Sequence, residues 1–223
     1  AYSGAKNIRN ALIHSDNIFF AQAAMQIGST TFCEELKKLG FNESINEQIK
    51  FPLTIKKSQY SNSDKIDNEK KLADSGYGQG DVLVNPIHMA SIYSAFANDG
   101  NMIKPYIEYK ENAQAEILKE NVFSAEIANT IKDDLIQVVE NPEGTAKDMK
   151  TAGVTIAGKT GTAELKTSQN DTEGGLLGWF DCFTVNNPLG NDMLIISMVE
   201  NTQNNGNGGS HYLIKKIKTL FVK

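Results

Sequence analysis

Cysteine is nearly missing from this chain. With only Cys33 and Cys182 in 223 residues, there is no disulfide framework, no CxxC pair and no zinc set; two thiols this far apart read as small buried hydrophobes. Histidine is almost as scarce: His88 and His211 lack a spaced acidic or cysteine partner, so no metal is expected, and His14 reads as a packing or surface residue rather than a substrate contact. No apolar run approaches the ~18–20 residues of a membrane-spanning helix, and Ala1-Tyr2-Ser3-Gly4 has no signal-peptide pattern. The piece is expected to be soluble as it stands, which does not place it in the cytoplasm, because an ectodomain cut from its anchor reads the same. Positive charge is short too. A formal net charge of −5 gives no broad attraction to nucleic acid, and no nucleic-acid partner is expected. What is present, 40% hydrophobic residues over this length, is enough to bury the core of one domain or a large piece of one.

Apolar residues fall at helical spacing from Ile8 to Ile27, interrupted at Ser15-Asp16-Asn17, which predicts two helices joined there; Ser, Asp and Asn are also the residues that cap a following helix. Another helix is expected over Thr31 to Leu39, stopping at Gly40. Residues 42–71 are polar and read as a long surface excursion with little regular structure. Asn85-Pro86 opens an apolar helix that ends before Asn98-Asp99-Gly100. Met102 to Tyr109 reads as a strand and Ser124 to Val139 as an amphipathic helix capped by Ser124. The pattern then turns to β: Val154 to Leu165, Leu177 to Val185 and Met193 to Glu200 predict consecutive antiparallel strands, with His211 to Val222 as a closing helix. The fold class expected is α+β, a helical block followed by an antiparallel sheet with flanking helices.

Two short motifs bear chemistry: Ser15-Asp16-Asn17 between helices and Lys159-Thr160-Gly161-Thr162 on a strand. Each alone is weak. Together, in this order, they match S-D-N and K-T-G, which accompany S-x-x-K in serine β-lactamases and penicillin-binding proteins. A serine acylated by an amide must lose its proton, stabilise an oxyanion and hold a carboxylate. Those tasks need a hydroxyl and ammonium relay, backbone N–H groups and a fixed cation. Gly161 on an edge strand is expected to keep the wall of the cleft open for a substrate lying alongside.

The longer segments carry the resemblance. Ile13-His14-Ser15-Asp16-Asn17-Ile18-Phe19-Phe20-Ala21, Asp74-Ser75-Gly76-Tyr77-Gly78-Gln79-Gly80, Asn85-Pro86, Ala97-Asn98-Asp99-Gly100, Ala157-Gly158-Lys159-Thr160-Gly161-Thr162-Ala163-Glu164 and Gly178-Trp179-Phe180 stand in the order seen in class B penicillin-binding proteins. The chain resembles that family over nearly its whole length, and the Leu72-Ala73-Asp74 lead looks most like the low-affinity, methicillin-resistance-type branch.

The resemblance implies the serine β-lactamase and penicillin-binding transpeptidase fold. It also implies peptidoglycan stem peptides and β-lactam antibiotics as partners, no cofactor, and a membrane-anchored parent at the extracytoplasmic face of a bacterial membrane. Residue by residue, it implies that Ser15 is part of the proton path and that the Asn17 amide donates to the substrate's peptide carbonyl. Lys159 sets the electrostatics of Ser15 and of the substrate carboxylate, which Thr160 and Thr162 hydrogen bond. The Thr162 N–H forms half of the oxyanion hole, and Gly161 permits close approach.

One part of the pattern departs from the family. Its nucleophile is the serine of S-x-x-K, at the start of a buried helix many tens of residues before S-x-N. The one S-x-x-K here is Ser3-Gly4-Ala5-Lys6, too close to Ser15 for the chain to leave a central helix and return to the cleft rim. Ser3 reads as a loop residue. Residues 1–223 are therefore expected to be a truncated transpeptidase domain without its nucleophile, inactive alone and showing apolar surface where the absent helix would pack. Two rivals remain: a non-catalytic domain or sensor that binds β-lactam or stem peptide, and an unrelated α+β binding domain. Asn42-Glu43-Ser44 and Asn170-Asp171-Thr172 also fit the glycosylation pattern, which means little if the source is bacterial, as the resemblance implies.

Overall fold

The computed structural model describes residues 3–109, 111–165, 175–188, 190–202 and 209–221; Asn170-Asp171-Thr172 lies outside them. Its elements run α1 (Ile8–His14), α2 (Asn17–Ile27), α3 (Ser29–Leu39), α4 (Ile45–Ile49), α5 (Glu69–Gly76), α6 (Pro86–Ala97), β1 (Met102–Ile103), β2 (Ile117–Lys119), α7 (Ala125–Glu140), a 3-10 turn (Lys147–Met149), β3 (Thr155–Leu165), β4 (Gly175–Asn186), β5 (Leu194–Val199) and α8 (Ser210–Lys218). The chain divides into two compact units, a sheet unit of Ala1–Asp16 with Lys132–Lys223 and a helical unit of Asn17–Ile131. No helix among the described residues is long and apolar enough to cross a membrane.

In the sheet unit, β3, β4 and β5 are antiparallel in that order, so β3 is an edge strand among the described residues. The register places Lys159 opposite Asp181, Thr160 opposite Phe180 and Gly161 opposite Trp179. Alternation sends Ile156, Phe180 and Cys182 to one face, where they pack with Leu213, Ile214 and Ile217 of α8, Val138 and Val139 of α7, and Met149. Helix α8 is amphipathic for this reason: its apolar stripe meets the sheet while Lys215 and Lys216 stay exposed. Helix α1 starts from Asn7, whose side chain accepts the Asn10 N–H. Arg9 Nε donates to the buried Asp134 at 2.5 Å.

In the helical unit, Ala24, Cys33, Phe41, Tyr60, Ile66, Leu72, Ile92, Ala95 and Met102 form the core. Asn85 Oδ1 caps α6, accepting from Ile87 N–H at 2.8 Å, and α3 ends at a left-handed Gly40. One expectation is narrowed here and one corrected. The polar stretch 42–71 has little regular structure between α4 and α5 and is mostly exposed, as expected, yet it is anchored: Ser58, Tyr60 and Ile66 are buried, and Asn42 Oδ1 accepts the Tyr60 N–H at 3.1 Å. Some of its Asn and Ser side chains, Asn42, Asn46, Ser58 and Ser61 among them, bond the chain's own backbone, which fixes the path of the stretch while most of its other polar residues face water. The strand expected over Met102 to Tyr109 is only Met102–Ile103; Pro105 has no N–H to continue a ladder. Both thiols are free and buried.

Candidate active site

The S-D-N turn forms where α1 stops. Ser15 adopts φ 53°, ψ 52°, the left-handed conformation, and its N–H reaches back to the Leu12 carbonyl at 3.3 Å. Such a backbone costs a residue with a β-carbon about 1–2 kcal/mol, so the surrounding bonds must impose it. Asp16 N–H donates to Ala11 O at 2.9 Å, and Asp16 Oδ2 accepts the Ala5 N–H at 2.9 Å. The tripeptide therefore closes one helix as well as leading into the next.

Lys159 reaches this turn from β3. Its Nζ donates to Ser15 Oγ at 2.7 Å and to the Thr160 carbonyl at 2.9 Å, although 144 positions separate Lys159 from Ser15. An ammonium only donates, so Ser15 Oγ accepts here and keeps its own proton for another group. Burial away from water lowers the Lys159 pKa to about 8, and no carboxylate among the described residues is ion-paired with it.

The remaining predicted residues are placed as follows. Thr160 is buried and turned to the opposite sheet face, where its Oγ1 donates to Thr145 Oγ1 at 2.7 Å. Thr162 is exposed on that same side, with Oγ1 2.8 Å from where a β-carbon on Gly209 would sit. At Gly161 the crowding comes from the cross-strand neighbour: an added β-carbon would lie 3.2 Å from Trp179 Cβ. The glycine thus relieves contact within the sheet. Asn17 is an exposed residue opening α2 in the helical unit. Ser3 and Lys6 are exposed, and Gly4 between them has φ 95°, outside the helical range. Ser3-Gly4-Ala5-Lys6 is consequently a loop.

Two residues were missed by the sequence reading. Thr145 follows α7 in a connector and belongs to no motif in the sequence. Asp181 stands directly across from Lys159, 5% exposed, with Oδ1 accepting the Ser197 N–H at 3.2 Å; burial pushes its carboxyl up to about 7. A lone acid inside Trp179-Phe180-Asp181-Cys182-Phe183 was the available signal. Burial also raises the Cys182 thiol to about 12, which removes it as a nucleophile.

Residues 1–217 match the family described as the penicillin binding protein transpeptidase domain. Penicillin-binding protein 3 of Bacillus subtilis is 42% identical over 96% of this chain and 31% of its own length. A peptidoglycan D,D-transpeptidase FtsI homolog of Mesostigma viride is 25% identical over 87% of the chain and 35% of its own length. The chain thus spans about a third of these curated relatives. Among solved structures, the penicillin G acyl-enzyme complex of penicillin-binding protein A from M. tuberculosis superposes with a TM-score of 0.67 at 22% identity, covering 88% of this chain and 43% of that one. A peptidoglycan glycosyltransferase from Burkholderia ambifaria gives 0.69 at 22% identity, over 90% and 58%. These likenesses show the fold, helices with an antiparallel sheet as in serine β-lactamases and transpeptidases, while the matched family and the Bacillus relative show descent: the chain belongs to the penicillin-binding protein transpeptidase domain family.

Proposed function

We propose that these residues are the C-terminal part of a class B peptidoglycan D,D-transpeptidase of the low-affinity, methicillin-resistance type. The parent cross-links stem peptides at the extracytoplasmic face of a bacterial membrane, within the cell-wall synthesis machinery, and is acylated by β-lactams. Its acylating serine lies outside these residues. The observation that carries this reading is the 2.7 Å bond from Lys159 Nζ to Ser15 Oγ, which joins the two sequence motifs into one donor pair. With a pKa near 8, Lys159 is largely cationic at neutral pH, as carboxylate binding requires, yet close enough to working pH to exchange a proton through Ser15. Ser15, already accepting from the ammonium, donates onward toward the acyl site. Thr160 and Thr162 hold the substrate carboxylate, the Thr162 N–H supplies half of the oxyanion hole, and Asn17 holds the substrate's peptide carbonyl. The loop geometry at Ser3 supports placing the nucleophile elsewhere.

Fluorescent penicillin tests the proposal. The 223-residue chain should take no covalent label, and the full-length protein should be labelled on the serine of an S-x-x-K segment, located by mass spectrometry. A penicilloyl adduct on Ser3 of the short chain would overturn the assignment. A full-length protein that is labelled but never cross-links stem peptides would move the reading to a sensor.

A further inference from the structure

We infer that Thr145 is a positioning residue that sets whether the Thr160 hydroxyl is free to grip a substrate carboxylate, an inference that rests on the transpeptidase reading above. Thr145 follows α7 in a turn held from several directions. Gly144 N–H donates to Asn141 O at 2.9 Å, and Ala146 N–H donates to Val138 O at 3.2 Å. Gly144 lies so close to α7 that an added β-carbon would come within 2.2 Å of the Val138 carbonyl oxygen. Val138 and Ala146 are wholly buried. Thr145 N–H itself donates to Ile13 O at 3.1 Å, two residues before Ser15. One residue therefore ties the helix that delivers Ser15 to the strand that delivers Lys159 and Thr160.

The side chain completes the link. Thr160 Oγ1 donates to Thr145 Oγ1 at 2.7 Å. A hydroxyl owns one proton, so in this arrangement Thr160 offers an incoming anion only lone pairs. To donate to a carboxylate, Thr160 must turn its proton outward, and the short contact survives only if Thr145 then donates in return. The pair can reverse without losing the hydrogen bond, because both partners are hydroxyls. The resulting chain, Thr145 to Thr160 to carboxylate, is the kind in which each bond polarises the next. A carboxylate-bearing ligand would thus be favoured by a group that never touches it.

The test compares acylation of the full-length protein by benzylpenicillin and by its methyl ester, which lacks the anionic carboxylate. Thr145→Val keeps size and backbone but cannot donate. It should slow acylation by benzylpenicillin about 3-fold, because the Thr145–Thr160 bond, present before and after binding, no longer polarises the bond to the carboxylate, through weaker initial binding rather than a slower chemical step. With the ester the change should stay within about 2-fold, and Thr145→Ser should restore the parent rate with both probes. Equal losses with acid and ester, or no loss with either, would overturn the inference and leave Thr145 as a purely structural residue. Should Thr145→Val fail to fold, Thr145→Ala, which retains the N–H bond to Ile13, gives the same comparison. A parent protein acylated by neither probe would instead overturn the transpeptidase reading, and the parent measurement alone separates that failure from the failure of the role assigned to Thr145.

Discussion

Helices α8 and α2 treat their apolar residues in opposite ways. In α8, Leu213, Ile214 and Ile217 are all buried against the sheet while lysines take the solvent side. Helix α2 is the more apolar and has no charged residue, yet only Ala24 is buried; Ile18 is 71% and Ile27 51% exposed. Apolar content thus does not decide burial; the presence of a complementary surface does. Helix α2 meets α5 along one side, where Gly76 admits Phe20 and Ala24, and its apolar residues Ile18, Met25 and Ile27 stand exposed.

The largest expected effect tests whether the well-packed sheet unit also carries the chemistry. In the full-length protein Lys159→Ala should slow acylation by penicillin about 100- to 1,000-fold, the scale of losing a preorganised electrostatic group; stopped-flow acylation rates with less than a few-fold change would detach the sheet from the mechanism. Packing comes next. Ile214→Ala should cost the 223-residue chain about 2–5 kcal/mol in urea unfolding, whereas Ile18→Ala should stay within about 0.5 kcal/mol. Equal costs would break the contrast between α8 and α2.

A smaller effect sharpens it. Asp181 has a native pKa near 7 against an ordinary value of 3.8. Its neutral form is the one the fold tolerates, so this contribution to stability is complete below about pH 4 and is lost as pH rises through 7. Asp181→Asn keeps an oxygen for the Ser197 N–H and removes the titration. The variant should gain on the parent by on the order of 2–4 kcal/mol at pH 8 relative to pH 4, read from urea midpoints. A difference independent of pH would show that Asp181 is not a buried, shifted acid.

The sheet unit was the more legible region. Strands β3, β4 and β5 alternate branched and aromatic residues between clear turns, and each lies within about two residues of its expected span. The helical unit hid more. Helix α5 has one buried apolar residue, Leu72, too few to set a period, although Asn68, accepting from the Lys70 and Lys71 N–H groups, was a readable cap. Tyr60 is wholly buried inside a polar run because Asn42, far away in sequence, supplies its backbone partner. Local pattern carries no trace of such a bond. The Ser15 and Lys159 pairing came from motif order, while Thr145 stayed hidden because its role depends on touching Thr160 across the fold.

The left-handed backbone at Ser15 narrows what substitution can do there. Threonine would keep the hydroxyl that Lys159 meets, but its branched β-carbon fits that conformation poorly. Glycine, asparagine and aspartate fit the backbone and bring no hydroxyl. The position therefore has no chemical synonym among the common amino acids. A mutational scan would find threonine failing at 15 for reasons of backbone hand, and an inactive Ser15→Thr protein would say nothing about whether the hydroxyl matters.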